Sequence, residues 1–207
     1  RDHYRNILMK YWETPNKPHE AIGVWVSGFF GSGKSSFAKL LGLALDGVAL
    51  SDGRSVAQAL LARDTSPLAE EFKAAWSALR AKIDPLAVVF DVGGVARDNE
   101  HIHSAAVRQI QVRLGYCSKS VHVAFAELDL ERDNRWSEFL TLVEATYGKP
   151  WHELKDQPQA QARFSNLMAK LYPDIYDGNR DWHMRHGGTA VNVLLPEEAV
   201  KTIGEML

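Results

Sequence analysis

The sequence predicts an α/β fold of three layers, with a parallel sheet and a largely helical second half. Three observations indicate this fold. The apolar, β-favouring run at 21–27 leads directly into a glycine-rich segment and then into a stretch rich in Ala, Leu and Lys at 36–45. A second apolar run, at 86–90, ends at an aspartate and two glycines. Nearly continuous apolar runs are typical of strands buried on both faces of a parallel sheet, and most of the chain after residue 121 has helical patterning.

The remaining elements are predicted from periodicity and from residues that end helices. Apolar side chains at helical spacing predict an amphipathic helix at 4–12, which Pro15 and Pro18 end. Residues 121–125 fit either a strand or the start of a longer helix, and 174–188 predicts a polar loop. Further helices are predicted at 68–83, 103–114, 136–147, 159–172 and 197–207.

Composition excludes several classes of function. The 207 residues carry a formal charge of −2, which gives no general attraction to nucleic acid or to acidic membranes. No apolar run has the length that crosses a bilayer and no secretory signal opens the chain, so we expect a cytoplasmic protein with no membrane partner. The single cysteine, Cys117, excludes an internal disulfide and suits a reducing compartment. Because the chain begins with Arg1, we expect it to be part of a longer protein.

The glycine-rich segment matches the phosphate-loop motif G-x-x-x-x-G-K-[ST] in full at 28–35. A chance match is rare between a predicted strand and a predicted helix. Glycine lets successive backbone N–H groups turn inward around a phosphate, and the N-terminus of the following helix adds its positive dipole end. We expect Lys34 to neutralise the β- and γ-phosphates and the Ser35 hydroxyl to bind Mg²⁺. The motif therefore predicts a site for MgATP and a P-loop NTPase fold, AAA+-like in architecture.

The predicted binding residues form one continuous stretch. Phe29 and Phe30 occupy positions that the motif leaves open, and we expect them to pack beneath the loop. We predict a nucleotide-binding core at 1–120 and a helical insertion or lid of the same domain at 121–207. The candidate nucleotide-binding residues are Gly28, Phe29, Phe30, Gly31, Ser32, Gly33, Lys34, Ser35 and Ser36.

Hydrolysis also needs an acidic residue that holds Mg²⁺ at the end of a neighbouring strand. Asp91 follows the second apolar run and is the candidate catalytic acid, to act beside the catalytic Lys34. The alternative is that Asp91 caps a turn in which Gly93 and Gly94 supply the bend. These residues also fit the D-x-x-G element of GTPases, but the guanine-reading N/T-K-x-D motif is absent from the later chain. The sequence therefore favours ATP over GTP.

Three other clusters are open to a functional or a structural interpretation. Glu127 and Asp129 are further acid candidates, although the solvated face of a helix is the better interpretation. Two histidine pairs suggest a metal site that no cysteine supports, and surface histidines are commoner. These pairs are His101 with His103 and His183 with His186. Basic residues beside an aromatic form a candidate nucleic-acid contact, with a polar loop anchored by its tryptophan as the alternative. They are Arg180, Trp182, His183, Arg185 and His186.

The segment GVWVSGFFGSGKS at 23–35 is more specific than a generic phosphate loop. It resembles the ATPase of bacteriophage-exclusion (BREX) systems, the BrxC/PglY family, whose loop typically reads G-V-W-[IV]-S-G-F-F-G-S-G-K-S. Family members usually continue with His-Phe, where this chain has Ser36 and Phe37. The triplet AEL at 126–128, Phe139 and GKPW at 148–151 are also similar to the family's helical region.

The resemblance implies a large cytoplasmic anti-phage ATPase, of which this chain is the N-terminal nucleotide-binding part. In that family the Mg²⁺-binding acids follow an apolar strand after the helical insertion, and no such sequence occurs here. The resemblance therefore implies that the fragment ends before that strand and that Asp91 closes a different one. Lys34 and Ser35 carry over directly, with ATP and Mg²⁺ as cofactors. Expected partners are other defence-system proteins, with a DNA contact in the full-length protein and an ATP-dependent homo-oligomer as further expectations.

The predicted function is ATP binding and hydrolysis coupled to a conformational or assembly change. A nucleotide-sensing module that binds ATP with little turnover fits the loop equally well. A small-molecule kinase uses the same kind of loop, but no cluster of arginines in a lid helix supports that function here.

Overall fold

The chain forms two compact units, Arg1–Val89 and Phe90–Leu207. Pro18, the first two residues of the predicted strand at 21–27, and Gly188 lie outside the described residues. The predicted core at 1–120 and insertion at 121–207 stay predictions about domain organisation. The structure, a computed structural model, describes residues 2–16, 23–97, 99–187 and 194–207.

The regular elements that the structure describes in the first unit are helices. Its elements are α1 (Asp2–Glu13), a 3₁₀ turn (Thr14–Asn16), α2 (Lys34–Leu45), α3 (Val56–Ala62) and α4 (Ala69–Arg80). α1 packs against α4, and the core of the unit includes Leu8, Phe72 and Leu79, each at most 1% exposed. Because apolar side chains recur every three or four residues on both helices, each helix presents one continuous apolar face to this core. The predicted helices at 4–12, 36–45 and 68–83 are confirmed.

Local hydrogen bonds set the start of α3. Gln58 N donates to Ser55 Oγ at 3.1 Å, and Ser55 N donates to Gln58 Oε1 at 2.8 Å. This capping box satisfies two N–H groups that the helix itself leaves without acceptors. An N-cap of this kind stabilises a helix by about 1 kcal/mol.

The predicted parallel sheet is absent from the described residues, so the three-layer α/β fold is wrong. The apolar runs at 23–27 and 86–90 form neither a helix nor a paired strand. Trp25 is 92% exposed and Val89 is 51% exposed, the opposite of strands buried on both faces. β-Favouring residues specify an extended backbone locally, whereas a sheet needs a second strand about 4.8 Å away. In the described chain the β pairing is limited to one isolated antiparallel bridge between Ala49 and Ser55.

Part of the second apolar run packs along α2 instead of joining a sheet. Ala87 N donates to Asp46 Oδ1, at the C-terminal end of α2, at 3.3 Å. The side chain of Val89 fills the space beside Gly42 that a Cβ atom there would need. A glycine in the middle of a helix costs about 1 kcal/mol relative to alanine, and here it admits the neighbouring valine.

The second unit is a helical assembly around an aromatic core. At the centre of the core the rings of Phe139, Trp151 and Phe164 lie with centroids 5.2 to 5.8 Å apart, and each is at most 2% exposed. Complete burial of one such ring contributes about 2 to 3 kcal/mol. The helices are α5 (Val92–Val95), α6 (Ile102–Leu114), α7 (Val121–Arg132), α8 (Trp136–Tyr147), α9 (Trp151–Leu154), α10 (Ala160–Leu171), α11 (Asp181–His186) and α12 (Pro196–Met206).

The predicted helices at 103–114, 136–147, 159–172 and 197–207 are confirmed, whereas α5, α9 and α11 were not predicted. The ambiguous segment at 121–125 begins α7, for which Ser120 Oγ accepts a hydrogen bond from Val123 N as the N-cap. The predicted loop at 174–188 contains α11, so its helical part was missed. In α11 an Asp181–Arg185 ion pair at 2.7 Å has the favourable i, i+4 spacing. No helix of the described residues is long and apolar enough to cross a membrane.

Candidate functional site

The phosphate loop at 28–33 leads directly into α2, as the motif predicts. Gly31 and Gly33 have φ angles of 78° and 85°, a left-handed conformation that residues with a side chain rarely adopt. Ser32 N donates to the carbonyl oxygen of Phe29 at 3.1 Å and closes a turn between them. Left-handed glycines in such a turn are typical of loops that present N–H groups to an anion.

The N-terminus of α2 supplies further donors. Gly33 is the N-cap residue, and no side chain caps the first turn. The first N–H groups of a helix have no acceptor within it, and the aligned peptide dipoles place about half a positive charge there. The first turn of α2 contains no acidic residue that would compete for this charge. The backbone at this position is therefore suited to an anionic group.

The Lys34 side chain folds back over the loop. Its ammonium donates to the carbonyl oxygens of Gly28 and Phe29, each at 2.8 Å. Ser35 and Ser36, which follow Lys34 in the first turn of α2, are exposed. Anionic oxygens accept stronger hydrogen bonds from an ammonium group than neutral carbonyl oxygens do. A phosphate at the loop would therefore compete well for the same donor.

Two aromatic residues of the loop do not lie where we expected. Phe29 is 93% exposed and Phe30 is fully exposed, so the prediction that they pack beneath the loop is wrong. Neither ring belongs to the apolar core of the first unit. The backbone of Phe29 contributes to the site, since its carbonyl oxygen accepts from Lys34.

A cavity of about 550 Å³ opens beside the loop, bounded by residues that the sequence analysis missed. Three of them, His3, Asn6 and Ile7, lie on α1. Their spacing of three and four residues places them on one face of the helix. The helical pattern was readable from the sequence, but no local signal indicated that this face meets the loop. The loop side of the cavity is formed by Ser27, Gly28, Phe29, Ser32, Gly33 and Lys34.

An aromatic contact holds α1 against α2 at this cavity. The rings of Tyr4 and Phe37 stack with centroids 4.2 Å apart and an angle of 4° between their planes. The Tyr4 hydroxyl donates to the backbone carbonyl of Phe37 at 3.1 Å. The buried Tyr4 ring therefore fixes the relative position of the two helices whose side chains line the cavity.

The candidate catalytic acid belongs to the second unit. Asp91 is the N-cap of α5, and its Oδ1 accepts a hydrogen bond from Gly93 N at 3.2 Å. This is the turn-capping role considered as the alternative for this residue. The catalytic role of Asp91 stays a prediction.

Glu127 is buried in the second unit, so its assignment to a solvated helix face is wrong. It is 1% exposed, and its two carboxyl oxygens accept hydrogen bonds from Trp151 Nε1 at 2.5 Å and from Cys117 N at 2.6 Å. Burial raises the pKa of this carboxyl to about 7. Asp129 is exposed and pairs with Arg132 at 2.8 Å, as the solvated-face interpretation predicts. Tertiary packing therefore separates two acids that look equivalent in the sequence.

The two histidine pairs lie on different elements of the second unit. The rings of His101 and His103 stack with centroids 5.3 Å apart, and His103 Nε2 shares a hydrogen bond with the carbonyl of Leu194. His183 and His186 lie on α11, where their spacing of three residues places them on one helical face. Within the ranges that the structure covers, no group of three His, Cys, Asp or Glu side chains could hold a metal ion.

The tryptophan of the candidate nucleic-acid contact is buried. Trp182 is 3% exposed, and its ring centroid lies 4.8 Å from that of Phe164. An indole in this position cannot stack on a base, so the interpretation of Trp182 as a core anchor is confirmed. Arg180 and His183 are exposed beside it. Arg185 is paired with Asp181.

The described geometry brings part of the predicted stretch to one cavity, namely Gly28, Phe29, Ser32, Gly33 and Lys34. Phe30, Gly31, Ser35 and Ser36 are not part of its lining. The geometry adds a face of α1 and places Asp91 and Glu127 in the second unit. No protein-family model matches the chain, and no solved structure matches it.

Proposed function

We propose that this chain binds MgATP at the phosphate loop, as the nucleotide-binding part of an ATPase similar to those of BREX anti-phage systems. The observation that carries the proposal is the position of the Lys34 ammonium, 2.8 Å from the carbonyl oxygens of both Gly28 and Phe29. An uncapped helix N-terminus and a cavity of about 550 Å³ adjoin it. Together these features suit a ligand with an anionic end and an organic body.

Each part of the loop has a stated role in this proposal. Lys34 exchanges its carbonyl partners for the β- and γ-phosphate oxygens, and the N–H groups of the loop and of the first turn of α2 donate to the same phosphates. The exposed Ser35 hydroxyl binds Mg²⁺. Mg²⁺ takes most of its remaining ligands from phosphate oxygens and water, so one protein hydroxyl is an adequate contribution from the loop.

One observation favours a second candidate function, a nucleotide-sensing module with little turnover. Among the described residues that line the cavity there is no aspartate or glutamate. Hydrolysis needs an acid that holds Mg²⁺ and a group that orients the attacking water. Measurement of phosphate release over many turnovers distinguishes the two functions, since the sensor binds ATP without sustained release. The expected defence-system partners, DNA contact and homo-oligomer stay predictions.

Isothermal titration with MgATP and MgGTP tests the binding proposal. We expect the chain to bind MgATP and Lys34→Ala to remove binding, because the Lys34 ammonium is the cation that the loop carbonyls hold at the phosphate position. Lys39→Ala is the matched control, since Lys39 is an exposed lysine of α2 that does not line the cavity. Equal affinity of the parent chain and Lys34→Ala for MgATP contradicts the proposal, as does the absence of binding by the parent chain.

A cellular experiment tests the wider proposal. In the full-length protein within a complete defence system, Lys34→Ala is expected to abolish phage resistance and Lys39→Ala to preserve it. Undiminished resistance in the Lys34 variant means that nucleotide binding at this loop does not serve defence.

A further inference from the structure

We propose that Asn6, on α1, recognises the base of the bound nucleotide and selects adenine over guanine. This inference rests on the proposed binding of a triphosphate at the loop. Asn6 lines the same cavity as the loop residues, but it lies on α1, a helix outside the phosphate motif. Recognition of the base would then depend on α1, and recognition of the phosphates on the loop.

The position of Asn6 suits a ligand contact. It is exposed on α1 and faces the cavity together with His3 and Ile7. Its amide makes no hydrogen bond to any residue that the structure describes. An asparagine in the middle of a helix is unfavourable relative to alanine, so α1 gains nothing from it as a structural element. Asn6 does not stabilise the helix, and a contact with a ligand would give it a role.

The walls beside Asn6 are apolar and suit the faces of a purine. Ile7 and Phe37 are half-buried and both line the cavity. One face of the Phe37 ring is covered by Tyr4 at 4.2 Å, which holds the ring in place. Phe37 lies one helical turn after Lys34, so both side chains are on the same face of α2. A nucleotide with its phosphates at Lys34 therefore has an apolar surface available for its base.

The chemistry of the amide gives the selectivity. At the edge formed by N6 and N7, adenine presents one donor and one acceptor, and a side-chain amide matches both. Guanine presents two acceptors at the same edge, so the amide oxygen would face another acceptor. Guanine also carries an N2 amino donor, and the described lining of the cavity offers no carboxylate to accept from it.

Titration of three ligands against Asn6→Ala tests the inference. The ligands are MgATP, MgGTP and magnesium triphosphate without a nucleoside. We expect Asn6→Ala to lower the affinity for MgATP about tenfold, the size of one bidentate base contact, and to leave magnesium triphosphate unchanged. Asn6→Asp is also expected to lower the affinity for MgATP and to gain none for MgGTP, because a carboxylate cannot donate to adenine N7 and faces the two acceptors of guanine at the same edge. Asn16→Ala, an exposed asparagine outside the cavity, is the matched control.

The outcomes separate this inference from the proposed function. Binding of magnesium triphosphate that Lys34→Ala removes supports the phosphate site, whatever Asn6 does. If Asn6→Ala then binds MgATP as tightly as the parent chain, the role of Asn6 is wrong and the phosphate site stands. If the parent chain binds neither MgATP nor magnesium triphosphate, both proposals fail. Because alanine favours the helix, Asn6→Ala is expected to keep or raise the melting temperature, so a loss of MgATP affinity is not a loss of fold.

Discussion

The indole N–H of Trp151 donates a hydrogen bond to Oε1 of Glu127 at 2.5 Å, inside the second unit. The other carboxyl oxygen accepts from Cys117 N at 2.6 Å. Both hydrogen bonds favour the charged carboxylate, but the loss of hydration on burial disfavours it more strongly. Burial therefore raises the pKa of Glu127 to about 7 from an ordinary 4.5. The buried carboxyl links α7 to the start of α9 and to the chain before α7.

This pKa predicts a pH-dependent stability of the second unit. A carboxyl with a raised pKa in the folded state binds more protons when folded than when unfolded, so its contribution is fully present below about pH 4.5 and is lost as the pH rises towards 7. A shift of this size corresponds to about 3 kcal/mol. In Glu127→Gln this decrease of the free energy of unfolding with rising pH is expected to disappear, because the amide does not titrate. Urea unfolding of the parent chain and the variant at pH 5 and pH 7.5 measures the difference.

Glu144→Gln is a suitable control for that experiment, since Glu144 is an exposed glutamate of α8. The change in its free energy of unfolding between pH 5 and pH 7.5 is expected to match that of the parent chain. A difference between the parent chain and Glu127→Gln that stays constant over this pH range contradicts the raised pKa.

The burial of Trp182 predicts a large loss of stability on its removal. Trp182→Ala leaves a cavity against Phe164 and is expected to lower the free energy of unfolding by about 3 to 5 kcal/mol. Trp25→Ala, which removes an indole that is 92% exposed, is expected to change it by less than about 0.5 kcal/mol. Thermal unfolding followed by circular dichroism compares the two variants. Similar melting temperatures for both would show that Trp182 is not a core anchor.

The buried ion pair between Arg108 and Glu100 predicts a loss of stability when Arg108 is replaced. Arg108 donates through Nε and a terminal nitrogen to the carboxyl of Glu100 at 3.0 and 2.7 Å, with their side chains 12% and 4% exposed. The same guanidinium donates to the carbonyl of Val95 at 2.6 Å. Removal of Arg108 leaves the Glu100 carboxylate largely buried without its guanidinium partner, although Arg97 N still donates to it at 2.8 Å. Arg108→Leu is therefore expected to lower the free energy of unfolding at pH 7 by about 3 to 5 kcal/mol.

The stabilisation by the Arg108–Glu100 pair changes with pH in the opposite direction to the stabilisation by Glu127. Hydrogen bonds from Arg108 hold the pKa of Glu100 below its ordinary 4.5, so the pair contributes above that pH and is lost as the pH falls. The cost of Arg108→Leu is expected to shrink between pH 5 and pH 3. Arg132→Leu removes an arginine whose pair with Asp129 is more than half exposed, and should cost less than about 1 kcal/mol. Equal costs for the two variants at pH 7 would contradict the role of the buried pair.

Most helices were predictable because their signals are local. The predicted helix at 136–147 coincides with α8, which begins with Trp136 and ends before Gly148 in the left-handed conformation. The short helix α11 was not predictable from periodicity, since six residues hold too few apolar positions to show a pattern. Its Trp182 packs against Phe164, a contact with a distant part of the chain that periodicity does not show.

The candidate site was predictable only in part. The chemistry of Lys34 and of the glycines belongs to a contiguous motif, so the sequence identified the loop without knowledge of the fold. Asn6 lies more than twenty residues before the loop and is brought to it by packing of Tyr4 against Phe37. No sequence pattern predicts which two surfaces will be joined by such a contact.

The sequence by itself determined most of the longer helices, the turn at the phosphate loop and the residue types available to bind an anion, because each depends on neighbours within about one helical turn. The tertiary structure decided whether the apolar runs at 23–27 and 86–90 pair as strands, which they do not among the described residues. It also decided which of two similar acids, Glu127 or Asp129, is buried. These outcomes depend on contacts between distant segments, whose free energies are not encoded in any local pattern.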